Sequence, residues 1–507
     1  MENQTKVVVF VHGWSVTHTK AYGGLPRRLQ VEAAAAGIGL DVREIFLGRY
    51  ISFHDEVRLR DISRGFRAAV KDTLGDLLES DERFACITHS TGGPVIRDWW
   101  HRYYASASED KVCPMSHLIM LAPANFGSAL AQLGKGRIGR MKSWFEGVEP
   151  GQGVLDWLEL GSTEAWDLNE AWIRHDTDLD FSNRVFPFVL TGQTIDRKLY
   201  DVLNTYTGEM GSDGVVRVAA ANLNANYVRL VQRSPASGTV PKSCDLEIDA
   251  FAKAPATAMR IVSGKSHSGK RIGIMRSVKA ETEDEQSRET VDRILACLSV
   301  QTTQAYDRLR QRFDIESAEV QKSERAEKTK GSLLQSPRTF IHDRCSMAIF
   351  RVRDDQGLPV QDYDLVLTAG AKSNPNHLPD GFALDRQRNR VNRETITYYF
   401  NYDVMAGCRK VIDKSGHIVR EKLNGIKELG LKIDPRPESG FVHYIPGEIR
   451  ASQELLEKAL RPNCTTLIDV QLRRIVHEHV FRLQEMTEDT KPESFKRETP
   501  GDVIIDD

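Results

Sequence analysis

The sequence is short of several features, and each shortage removes a class of protein. No stretch approaches the roughly 20 consecutive apolar residues that cross a bilayer as a helix. Lysine and arginine (69) nearly balance aspartate and glutamate (71), so the basic excess that nucleic-acid binding draws on is missing. The seven cysteines are odd in number, scattered and without a CxxC pair. That pattern argues against a disulfide framework or a zinc knuckle and leaves small buried hydrophobes. The apolar run Val7–Val11 is too short for a signal-peptide core and lacks a basic leader and a cleavage site. The expectation is a protein made in the cytoplasm that does not use the general secretory route, with signal-independent export left open. No tryptophan lies beyond Trp172, and there is no internal repeat.

What is present fills more than one domain. The 507 residues are 40% hydrophobic, which suits two or three globular units. Short apolar runs alternate with helical patterns over residues 6–122. Strands are expected at Lys6–Val11, Asp41–Leu47, Phe84–Thr88 and His117–Ala122, with helices between them. Nearly unbroken Val and Phe in the first run suits a strand buried on both faces of a parallel sheet. The rhythm breaks from about Phe126 to Phe181, a segment holding four of the seven tryptophans. It resumes at Val185–Leu190 and Ala258–Val262 and closes on an amphipathic helix around Val291–Leu298. Residues 301–335 are charged and apolar-poor, which predicts a solvated helical or flexible linker. From 336 to 485 strand patterns dominate (Ser346–Arg353, Asp362–Thr368, Thr395–Asn401, Phe441–Ile445, Thr465–Leu472), as in a separate β-sandwich. The tail 486–507 is polar and reads as flexible, apart from Val503–Ile505.

One short stretch carries the chemistry. Thr88-His89-Ser90-Thr91-Gly92-Gly93 stands between a predicted strand and a predicted helix. A sharp strand-to-helix turn lifts a serine hydroxyl above the sheet edge and aims the free amides of the helix start at a developing oxyanion. Such a turn needs small residues two before and two after the serine. Gly92 meets the second need, while Thr88 stands where glycine is usual. The strand Val7–Val11 ends in His12-Gly13-Trp14, and His12 reads as a brace for that loop.

His-Gly after the first parallel strand, then His-Ser-x-Gly-Gly some 75 residues on, resembles the bacterial lipase and esterase branch of the α/β-hydrolase superfamily. Leu121-Ala122-Pro123-Ala124-Asn125-Phe126-Gly127-Ser128 is similar to the stretch that follows the next strand in lipases. The resemblance covers about residues 6–300, within an expected catalytic domain of 1–300. It implies a doubly wound, mostly parallel α/β sheet with a lid or cap insertion at about 126–181, beside the C-terminal β-sandwich-like domain. It also implies Ser90 as nucleophile, with the backbone amides of Trp14 and Thr91 as the oxyanion hole. In that superfamily the acid follows the nucleophile and the histidine follows the acid. Ser212-Asp213-Gly214-Val215-Val216 resembles the acid loop, with Asp196 as the alternative. The one histidine between Asp213 and the linker is His267, in a Gly/Ser loop after a strand. By the template His267 is the base and Asp213 its orienter.

The substrate is read from the insertion. Met141, Trp144, Phe145 and Val148 fit one helical face, and Trp157 adds bulk. Trp144, Phe145 and Trp157 are the candidate substrate contacts, in an acyl pocket or against a membrane surface. Asp176, Asp178 and Asp180 suit an acidic surface loop better than a calcium site, and the sequence calls for no metal or organic cofactor. Three readings stand. The first is a lipase or phospholipase A, an architecture that also suits a bacterial effector delivered by a contact-dependent secretion system. The second is a small-ester hydrolase or acyltransferase. The third is an inactive hydrolase fold that binds a partner, of unknown kind, through residues 336–485.

Overall fold

A computed structural model describes residues 5–12, 21–52, 54–80, 82–105, 112–132, 151–174, 185–195, 210–233, 244–328, 339–370, 372–413 and 415–477. Six strands form a wholly parallel sheet: β1 (Lys6–His12), β2 (Leu40–Phe46), β3 (Phe84–His89), β4 (Met115–Leu121), β5 (Phe186–Thr191) and β8 (Ala258–Ile261), in the order β2-β1-β3-β4-β5-β8. Alternation along β1 feeds two cores. Val7, Val9 and Val11 face one, with Phe66 of helix α2 (Leu59–Thr73) and Trp99 of helix α3 (Gly92–Trp100). Val8 and Phe10 face the other, with Leu29 of helix α1 (Leu25–Ala35). Burial on both faces is what permits the unbroken apolar strand sequences. None of the seven cysteines is in a disulfide, and six are buried.

Two strands from within the span expected for the catalytic unit leave it. After β5 the chain passes through the segment 210–222 and enters β6 (Asn226–Gln232) and β7 (Cys244–Lys253), a pair joined to a second, nine-stranded sheet. The other strands are β9 (Cys345–Asp354), β10 (Tyr363–Ala369), β11 (Ala383–Arg388), β12 (Thr395–Asn401), β13 (Glu428–Pro435), β14 (Gly447–Ser452) and β15 (Thr465–Leu472). Their order is β10-β13-β14-β7-β6-β15-β9-β12-β11. The chain then returns to β8. A cut at residue 300 therefore does not separate two folding units, because β6 and β7 supply the middle of the second sheet. That sheet curls: the Tyr398 hydroxyl on β12 donates to the Leu365 carbonyl on β10 at 2.8 Å, though six strands separate them in the order. Flat strands about 4.8 Å apart would put them more than ~30 Å from each other.

The residues expected as a solvated helical or flexible linker are helical over Thr303–Ser323, but packed into the core rather than solvated. Helix α6 (Glu285–Leu298) is followed by α7 (Thr303–Ser323), whose Tyr306, Leu309 and Phe313 join the core behind β8. β8 is the edge strand, and α7 covers it with side-chain partners. The amide of Ala258 donates to the Tyr306 hydroxyl at 2.9 Å, and that of Ile261 to Ser317 Oγ at 3.0 Å. Covering an edge in this way satisfies backbone groups that would otherwise pair with another chain. The apolar stripe on α7 is narrow, and the charged residues around it mask it in the sequence.

The insertion is also less free than a lid. Helices α4 (Gln152–Leu158) and α5 (Thr163–Arg174) are wedged between the two sheets. Glu159 accepts from the Arg390 amide at 2.7 Å, the Thr395 hydroxyl donates to the Gly161 carbonyl at 2.8 Å, and the Arg351 guanidinium lies 4.2 Å over the Trp166 ring. Met141, Trp144, Phe145 and Val148 lie outside the described residues, as do the tail 486–507 and Asp176, Asp178, Asp180 and Asp196.

Two expectations follow. A chain ending at Val300 would lose α7 and strand the β6–β7 pair without neighbours. It should show no cooperative melting transition by circular dichroism; a truncated chain melting like the full one would contradict this interleaving. The second concerns His117 on β4, whose Nε2–H donates to the Val300 carbonyl at 2.8 Å. Burial, aided by the nearby Lys6 charge, pushes its pKa down to about 4. A free histidine titrates near 6.5, so between roughly pH 6.5 and 4 the unfolded chain takes up a proton that the folded chain refuses, and stability is lost as pH falls. The loss is of order 2–4 kcal/mol at the acid end. Melting temperature against pH should fall less steeply for His117→Gln than for the wild type; parallel slopes would remove His117 as a cause.

Candidate active site

The sequence around Ser90 folds as the strand-to-helix turn requires. Ser90 has φ of 55°, the left-handed region that non-glycine residues avoid, and its amide is held by the Leu121 carbonyl at 3.0 Å. Strain of this kind persists only where the surroundings fix it. They do so by close packing. A β-carbon on Gly92 would come within 1.9 Å of Thr88 Oγ1, and one on Gly93 within 2.7 Å of Pro123 Cβ. Thr88 thus fills the space that a side chain at 92 would need, and the bare Gly92 makes room for a threonine where glycine is usual. Thr91 follows directly, at the start of α3 and nearly buried. Trp14, the other expected oxyanion donor, lies outside the described residues.

His267 and Asp213 meet Ser90 from two separate loops. His267 Nε2 is 3.0 Å from Ser90 Oγ, and His267 Nδ1 is 2.9 Å from Asp213 Oδ2. The second carboxylate oxygen, Oδ1, accepts from the amides of Val215 (3.0 Å) and Val216 (2.8 Å). A carboxylate that only accepts fixes the tautomer: the proton sits on Nδ1, and Nε2 is left to accept from the serine hydroxyl. Asp213 is wholly buried and His267 is 1% exposed, so these bonds form out of competition with water. The two loops are also tied by backbone, the His267 amide donating to the Asp213 carbonyl at 2.9 Å.

Several further residues hold this geometry, and sequence reasoning gave none of them this role. The His89 Nε2–H donates to the His267 carbonyl at 3.0 Å. Burial first, then proximity to His267, pushes the His89 pKa down to about 3, so this ring is neutral and fixed as a donor. The lipase-like stretch after β4 braces the acid loop from one side. Ser128 Oγ donates to the Val215 carbonyl at 2.6 Å, and Asn125 Nδ2 to the Ala221 carbonyl at 2.7 Å. The second sheet braces it from the other. The Tyr399 hydroxyl donates to the carbonyls of Met210 (2.8 Å) and Gly211 (3.2 Å), Thr465 Oγ1 donates to the Ala219 carbonyl at 2.7 Å, and Arg217 pairs with Asp385. Gly211 has φ of 68°, and a β-carbon there would sit 2.6 Å from the Tyr399 hydroxyl. Only a glycine lets the two approach.

Trp157, the third candidate substrate contact, is 2% exposed and packs in the core with Val154 and Leu158. Its position is that of a packing residue. Trp144 and Phe145, the other two, fall outside the described residues. Among the described residues no cluster of His, Cys, Asp or Glu suits a metal ion, and no helix is long and apolar enough to cross a membrane.

A scan against protein-family models gave no match, and a comparison with curated proteins gave none. Two solved structures of phospholipase PlaB from Legionella pneumophila do match. One is 42% identical with a TM-score of 0.82, covering 98% of this chain and 99% of that one. The other, a complex with thio-NAD, is 42% identical with a TM-score of 0.80, covering 96% of this chain and 97% of that one. Both sheets and the segments that cross between them lie within this shared span, and the chain belongs to the PlaB phospholipase family, within the lipase and esterase branch of the α/β-hydrolases.

Proposed function

We propose that this protein hydrolyses the acyl esters of phospholipids through an acyl-enzyme on Ser90, with His267 as general base and acid and Asp213 as its orienter. The observation that carries the reading is the unbroken hydrogen-bonded chain from Ser90 Oγ through His267 to a doubly anchored, buried Asp213. Membership of a phospholipase family makes the substrate a lipid ester, and the chain a carboxylic ester hydrolase. Phospholipid is the class named for its relatives at 42% identity.

The steps follow from the contacts. Ser90 Oγ attacks the ester carbonyl as its proton passes to His267 Nε2. The imidazolium that forms is stabilised by Asp213 Oδ2, which cannot turn away because Oδ1 is held by two amides. The developing oxyanion is met by the Thr91 amide at the start of α3, with the Trp14 amide as its proposed companion. His267 then returns the proton to the leaving alkoxide, releasing the lysolipid. Water, deprotonated by His267, cleaves the acyl-serine to give the fatty acid and restore Ser90. Trp144 and Phe145 remain the residues we propose for contact with a lipid surface. Equal rates on monomeric and micellar substrate would count against that role.

Ser90→Ala should lower lysolipid release from mixed phospholipid vesicles by four orders of magnitude or more, and Asp213→Asn by about 10⁴. Mass spectrometry of the lipid products reads both, and turnover within tenfold of wild type in either variant would refute the assignment. Tyr399→Phe leaves two acid-loop carbonyls without that donor. It should cost about 1–3 kcal/mol of stability and lower kcat with KM little changed, because the loop orients His267 and does not touch substrate. A rise in KM alone would show that Tyr399 acts on binding instead.

A further inference from the structure

The second sheet has two faces, and the catalytic site uses only one. Side chains alternate along its strands. Tyr227, Ile349, Tyr399 and Leu467 pack in the core shared with the catalytic unit. Their neighbours Val228, Phe350, Phe400 and Ile468 pack in a separate core on the opposite face. That face holds a cleft of about 90 Å³, open at its mouth. Eight of the nine strands contribute to its wall, every one but β11, together with helix α8 (Gln453–Ala459). The curl of the sheet is what brings them together.

The lining has one chemistry. Its seventeen residues carry no polar side-chain atom. Protein interiors are normally packed without voids larger than a water molecule, and an apolar void gives water no partners. The mouth is different. Ile248, 40% exposed, and the half-buried Phe251 stand at the lip. Two ammonium groups lie over the Phe251 ring, Lys458 Nζ at 4.9 Å and Lys253 Nζ at 6.0 Å from its centroid. Both lysines are exposed, and neither has a carboxylate partner among the described residues. An apolar cleft with two positive charges at its lip is the complement of one alkyl chain ending in an anion.

We propose that this cleft binds a free long-chain fatty acid, the chain lying between Val228, Phe350, Phe400 and Leu431 and the carboxylate meeting Lys253 and Lys458. A single cleft suits one chain better than the two of a phospholipid. A fatty acid is also what an acyl-ester hydrolase releases, so the site would take the product of the reaction proposed above. Binding itself requires no turnover, and the site stands even if Ser90 acts on another ester.

The test uses the full-length Ser90→Ala protein, so its result is independent of catalysis. Titration calorimetry with octanoate, decanoate and laurate should show saturable binding that tightens by roughly two- to fourfold per methylene. The double variant Lys253→Glu/Lys458→Glu should weaken laurate by about tenfold and leave the neutral dodecanol nearly unchanged. Ala459→Phe, which fills the cleft, should abolish laurate binding without lowering the melting temperature; should that variant fail to fold, the exposed lysine pair decides alone. No saturable laurate binding, or laurate affinity unchanged in the lysine variant, would overturn the proposal. So would an Ala459→Phe protein that changes its oligomeric mass yet still binds laurate, since a second copy of the chain would then be what covers the cleft.

Discussion

The Asp213 carboxylate is buried completely, and both of its oxygens are committed, one to two backbone amides and one to His267. An ionised carboxylate taken out of water costs several kcal/mol unless hydrogen bonds replace its hydration. Those bonds exist only while the segment 210–222 keeps its path. The path is set from two sides, by Ser128 and Asn125 after β4 and by Tyr399 and Thr465 from the second sheet. The orientation of the histidine, the reactivity we propose for the serine and the docking of the two sheets therefore rest on one loop.

This explains why the chain crosses between sheets where it does. The loop bearing Asp213 is the first crossing, from β5 to β6, and the loop bearing His267 follows the return to β8. Asp213 and His267, the residues we propose to activate Ser90, sit beside the two passages that join the units. Helices α4 and α5 fill the wedge between the sheets, and Arg351 ties β9 to both β15 and the insertion through Asp469 and Glu170. A second sheet built in this way is part of the catalytic machine's frame, whatever else its far face does.

Much of the parallel sheet was legible in the sequence because strands buried on both faces leave continuous apolar runs such as Val7–Val11. The Ser90, Asp213 and His267 motifs were legible because each must sit in a turn of defined chemistry, with small residues at fixed offsets. Elsewhere local pattern was a poor guide. Along β6, Tyr227 and Val228 serve two different cores, and no local feature says that this strand pairs with residues near 467 rather than with its predecessors. Strands β13 and β14 carry charged residues on an exposed face, which blurs their alternation. Helix α7 looked like a linker because its buried stripe is narrow. Tyr399 could not have been found at all: its hydroxyl meets Gly211 from 188 positions away, and a tyrosine in a strand carries no mark of such a role.

The most direct measurement is to trap the acyl-enzyme. The protein would be mixed with phospholipid, quenched in acid within the first turnovers and digested with trypsin, which releases Phe84–Arg97 as one peptide carrying Ser90. The expected result is a fatty-acyl adduct on Ser90 in the wild type and none in His267→Ala. Lipid turnover with no adduct on that peptide, or an adduct that forms as fast without His267, would contradict the assignment of Ser90 and its buried partners as the site of ester cleavage.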